Sequence, residues 1–148
     1  MKKYLALVCL LSGFAMAQSK SAVGHWKFDA AQSQNAQFKS AHLVVTKDDA
    51  NEVAWRLNGT GQDGKEVKES FSAKRETEAP ITGMPGEKAT WHKDGSFDIT
   101  TADGQTIHRT AALSDDGKTM TVSGEIGGQQ VKEVWVKSGK TSEPSAKQ

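Results

Sequence analysis

The stretch DGSFDITTADGQTIHRTAALSDDGKTMTV, residues 94–122, carries three Asp-Gly dipeptides, at Asp94-Gly95, Asp103-Gly104 and Asp116-Gly117. Asp-Gly suits a two-residue hairpin turn, because both central residues there need positive φ. With Gly127-Gly128 the turns fall 9, 13 and 11 residues apart, the pitch of hairpins and too short for intervening helices. The segments between them alternate with a period of two: Phe97 and Ile99 oppose Ser96, Asp98 and Thr100, and Met120 and Val122 oppose Thr119, Thr121 and Ser123. That is the pattern of strands with one face buried.

The same signals extend toward the N-terminus. Asn58-Gly59 and Asp63-Gly64 are further turn dipeptides, and Val53, Trp55 and Leu57 share a face opposite Glu52, Arg56 and Asn58. Strands are expected at 24–29, 41–47, 52–58, 66–73, 88–93, 96–101, 105–113, 118–124 and 130–137. Only Ala30 to Ser40 could hold a helical turn. Sequential strands joined by tight turns form an up-and-down meander, and a long meander removes its exposed edges by closing. The expected class is all-β, an antiparallel meander closing into a barrel of about 8–10 strands. A Greek-key sandwich, the rival, needs longer connections, and the one long connection is Thr77 to Glu87 with Pro80 and Pro85.

Lys2 and Lys3, the apolar run from Tyr4 to Leu11 and Ala15-Met16-Ala17 have the form of a secretory leader cut after Ala17. The run is far short of the ~20 residues of a spanning helix, so stable membrane insertion is not expected. Cys9, the one cysteine, lies in the leader with Val8 before it, which argues against lipidation and leaves the mature chain without disulfides. The domains are therefore read as a signal peptide over 1–17, one β domain over 18–137 and a polar tail over 138–148, in a protein that is periplasmic or secreted. Lys2 and Lys3 leave with the leader, taking the 19 basic residues to 17 against 18 acidic ones, a formal charge of −1. No basic stripe remains for nucleic acid.

Gly24-His25-Trp26 on the first strand matches the G-x-W that opens lipocalins and related calycin barrels. Together with Ile81-Thr82-Gly83 and Asp116-Gly117-Lys118-Thr119-Met120-Thr121-Val122, it resembles small exported bacterial lipocalin-like proteins over about residues 22 to 137. The resemblance implies a lipocalin-like barrel, with Gly24 and Trp26 as structural residues that close one end. It also suggests ligand binding without naming a ligand.

If the apolar faces point inward, Trp55, Phe71, Trp91, Phe97, Ile99, Met120 and Trp135 wall a cavity suited to an aromatic or acyl ligand. Side chains alone can equally fill so small a barrel. Three charges fall in phase with apolar neighbours: Glu69 between Val67 and Phe71, Arg109 between Ile107 and Ala111, and Glu133 between Val131 and Trp135. Inward charges need mutual pairing or a polar ligand group, and Arg109 could hold a carboxylate bidentately. At Glu133 the alternative inward set, Val134 and Val136, is favoured. The four histidines, His25, His42, His92 and His108, come from four strands without metal-site spacing, so no metal or other cofactor is expected. There is no G-x-S-x-G elbow, no thiol outside the leader and no helix for a phosphate loop, and no enzyme is read here.

The leading expectation is an exported binding protein for a small apolar or amphipathic ligand, contacted by Trp55, Glu69, Phe71, Trp91, Phe97, Arg109 and Trp135. The alternative is a protein-interaction or inhibitor module with a packed core. It would meet its partner through the 77–87 loop, with Ile81 and Met84 exposed.

Overall fold

A computed structural model describes residues 20–139. The leader expected over 1–17 lies outside the described residues, as does most of the tail expected over 138–148. Ten strands follow one another: β1 (Gly24–Phe28), β2 (Phe38–Asp48), β3 (Glu52–Gly61), β4 (Glu66–Lys74), β5 (Ala79–Pro80), β6 (Lys88–Trp91), β7 (Ser96–Thr100), β8 (Thr106–Leu113), β9 (Thr119–Ile126) and β10 (Gln129–Ser138). They form one antiparallel sheet in the order β4-β3-β2-β1-β10-β9-β8-β7-β6-β5. The meander is joined through β1 and β10, with Trp26 opposite Lys137 and Phe28 opposite Trp135. Among the described residues there is no helix: Ala30 to Ser40 is a turn running into β2, which begins at Phe38. A register shift between Phe38 and Ser40 lets Phe38 and Ala41 both face the core, as a bulge does.

The sheet curls until its edge strands, β4 and β5, meet. Ser70 and Thr82 exchange backbone hydrogen bonds of 3.0 and 2.9 Å, and Glu76 N–H donates to Trp91 O at 2.8 Å. Gly83 makes this seam possible. Its φ is +94°, and a Cβ there would stand 1.9 Å from Lys68 O, so both the backbone conformation and the space demand glycine. Arg75 reinforces one end of the seam: Nη1 donates to His92 O (2.8 Å), Nε donates to Asp49 O (2.7 Å), and Nη2 pairs with Asp48.

Two corrections concern the 77–87 connection. It contains a tenth strand, β5, too short to leave a periodic signal. Nor does it offer an apolar contact surface: Ile81 is 4% exposed and packs with Phe71 and Ala89, and Met84 lies partly buried against them. The Ile81-Thr82-Gly83 motif is thus a closing device, with an anchor, a bridge and a close approach in successive residues.

The main core holds Trp26, Phe28, Phe38, Leu43, Val45, Leu57, Phe97, Met120, Val122 and Trp135. Trp26 is fully buried, its indole N–H donates to Ala22 O (2.9 Å), and Lys137 Nζ stands 5.8 Å from the ring centroid. Trp135 meets Phe28 and Phe38 edge-on, with centroids 5.3 and 6.1 Å away.

Candidate functional site

The barrel is hollow. A cavity of about 660 Å³ lies within it, a size typical of small-molecule sites. Trp55 on β3, Trp91 on β6, Phe97 and Ile99 on β7, Met120 on β9 and Trp135 on β10 line it, with Glu69 and Arg109. Period-two alternation aims all of these side chains inward. Trp91 stacks on Phe97 across β6 and β7 at 4.0 Å and 19° between planes. Phe71 is placed differently from expectation: it stacks behind Trp55 at 6.1 Å and belongs to the seam cluster with Ile81 and Ala89, not to the cavity lining. Gly24 and Trp26 stay outside the lining too.

The three in-phase charges all turn inward, Glu133 included. Its side chain sits on the core face of β10 at 3% exposure, whereas Val136 is 38% exposed on the outer face. The sequence reading failed here because Val134, on the outer face, is also buried. The Asp29–Asn35 segment covers it, with Val134 N–H donating to Ser33 Oγ at 2.9 Å and Gln34 bridging to Lys132. Arg109 is 7% exposed, and its Nη2 stands 3.2 Å from Glu133 Oε1. The contact is close but not directed as a hydrogen bond, and Arg109 Nε, Nη2 and Glu133 Oε1 have no hydrogen-bond partner among the described residues. Gly124 makes room for the arginine: a Cβ there would lie 2.7 Å from His108 O and 3.0 Å from Arg109 Cγ.

Among the described residues Glu69 lacks such a partner. Burial, reinforced by the like charges of Glu87 and Glu133, pushes its carboxyl up to about 7. Two further polar groups of the wall are also unsatisfied: the indole N–H groups of Trp55 and Trp91 are buried with no acceptor among the described residues. Buried polar groups are normally bonded, so several orphans around one cavity mark it as a place where a ligand can supply partners.

Around one end the cavity reaches a charged rim of Lys20, Asp48, Asp49, Arg75, Lys93, Asp94 and Asp115, drawn from the N-terminal segment and four turns. Beside it runs a chain of side chains that sequence reading missed. His92 Nδ1 lies 2.9 Å from Glu76 and Nε2 2.7 Å from Asp98, whose other oxygen meets His108 Nδ1 at 2.6 Å. The hydrogen bond to Asp98, then that to Glu76, raises His92 to about 9. Asp98 and His108 sit opposite one another on adjacent strands, which the meander anticipates, but the register that pairs them is not visible in the Asp103-Gly104 turn alone. Among the described residues no cluster of three or more candidate ligands could hold a metal ion.

No protein-family model and no curated protein matches the chain. Solved structures that resemble it include two of the fluorescent protein UnaG. The wild-type fluorescent protein UnaG is 14% identical, with a TM-score of 0.60 over 78% of this chain and 96% of that one. A single-substitution mutant of UnaG is 13% identical, with a TM-score of 0.59 over 80% of this chain and 96% of that one. At such identity the likeness is one of fold, and the fold is a calycin-type β-barrel.

Proposed function

We propose that the chain is an exported protein, periplasmic or secreted, that binds a small amphipathic ligand inside its barrel and catalyses no reaction. The observation that carries this reading is the hollow interior: about 660 Å³ faced by Trp55, Trp91, Phe97 and Trp135 and ringed by polar atoms without partners. An apolar body stacks on the indoles and Phe97, and a polar group answers Glu69 or Arg109. The leader pattern of Lys2-Lys3, an apolar centre and Ala15-Met16-Ala17 supports export.

Native mass spectrometry of the protein purified without detergent from the exported fraction tests both parts. The expected result is a chain beginning at Gln18 with added mass that leaves on denaturation, reduced in Trp55→Ala and Trp91→Ala. A protein that stays free of added mass after exposure to lipid extracts overturns the binding reading. A chain retaining Met1 to Ala17 overturns export.

A further inference from the structure

Resting on the reading of the cavity as a ligand site, we propose that the ligand's polar end is a protonated amine held by Glu69, and not an anion held by Arg109. The two cavity-facing charges differ in their company. Arg109 already has a counter-ion in Glu133, 3.2 Å away, with both side chains almost wholly buried. A ligand carboxylate reaching Arg109 would add a second negative charge to a pair that is already neutral. It would also approach Glu69 and Glu133 at once, where water screens little.

Glu69 has no such companion. Among the described residues no Lys, Arg or His pairs with it, and the charges that bear on it, Glu87 and Glu133, are both negative. The inner wall therefore carries one carboxylate more than it carries cations. The aromatic lining fits the same ligand class, since Trp55, Trp91 and Phe97 present π-faces that attract an ammonium as they attract an alkyl or aryl body. An ammonium entering this wall gains an ion pair with Glu69 and offsets the repulsion that Glu69 meets from Glu87 and Glu133.

The test compares three probes that share one tail: dodecylamine, dodecanol and dodecanoate, each below its micellar concentration and titrated calorimetrically into the mature protein. Dodecylamine should bind at least ten-fold more tightly than the other two. In Glu69→Gln, which keeps the shape of the side chain and removes its charge, that preference should vanish. Dodecanoate binding tightest would overturn the inference and make Arg109 the head-group contact, with the cavity reading intact. Equal binding of all three to the wild type would also overturn it, by placing the head group in water. If none binds, the cavity reading itself falls.

Discussion

The Arg109–Glu133 pair shows how little a buried ion pair says about stability until one partner is removed. Desolvating two charges costs about as much as their attraction returns, so the pair as a whole is near neutral. Deleting only one charge is another matter. Glu133→Ala leaves Arg109 buried without a counter-ion, and the expected loss is about 3–5 kcal/mol in urea denaturation. The double variant Arg109→Met/Glu133→Leu, which fills the same space with apolar groups, should recover most of that loss. A single Glu133→Ala costing under about 1 kcal/mol would mean that water already reaches the pair. Gly124 belongs to the same unit, because a Cβ there meets Arg109 Cγ at 3.0 Å and His108 O at 2.7 Å. Trp26 acts through volume: fully buried and bonded to Ala22 O, it should cost roughly 3–5 kcal/mol on replacement by alanine. Since it lies outside the cavity lining, ligand affinity of the folded variant should change far less than in Trp55→Ala.

The elements divide by how their signals are written. Asp-Gly turns and alternating faces made most strands legible, with boundaries shifted by a few residues, because both are local properties of the chain. β5 was not legible: two residues hold no period, and Ala79 and Pro80 become a strand only because Ala89 and Lys88 lie beside them. Nor was the inward turn of Glu133, since the burial of Val134 depends on a segment about a hundred residues earlier. Phe71 was rightly turned inward but wrongly given to the cavity, because alternation fixes a face and says nothing of what fills the space before it. The seam between β4 and β5 is where such nonlocal contacts concentrate, and it is open to test. Gly83→Ala should cost about 2–4 kcal/mol through strain at positive φ and collision with Lys68 O. Arg75→Ala should cost about 1.5–3 kcal/mol by removing its charged hydrogen bonds. Both variants should speed amide hydrogen exchange at Ser70 and Thr82 before that of β9 and β10. Uniform acceleration across all strands would show that the seam does not open on its own.

For the whole molecule, the displaced titrations combine into a stability profile whose direction can be worked out. Asp98, bonded to His92 and His108, Glu76, bonded to His92, and the turn residues Asp94, Asp103 and Asp116, bonded by the hydroxyls of Ser96, Thr101 and Ser114, are all lowered on folding. Their stabilisation is present above the ordinary carboxyl values and is lost as pH falls through the lowered folded values. Glu69 works the other way. Raised from 4.5 to about 7, it binds its proton more tightly in the folded chain, so stability declines as pH rises through that interval. Glu87, raised by burial, adds to the decline. His92, raised from 6.5 to about 9, contributes fully below 6.5 and is lost as pH climbs through 9. The two declines abut, which puts the stability maximum at about pH 5, with a continuous fall toward alkaline pH. Melting temperatures measured from pH 4 to 10 should trace that shape. Glu69→Gln should flatten the fall between 4.5 and 7 alone, and His92→Gln the fall between 6.5 and 9 alone. A wild-type melting temperature that rises between pH 5 and 7 would show that Glu69 is not confined as the barrel places it. A bound amine should remove the fall between 4.5 and 7, because an ammonium beside Glu69 stabilises its charged form and so brings its folded titration back toward or below the unfolded value.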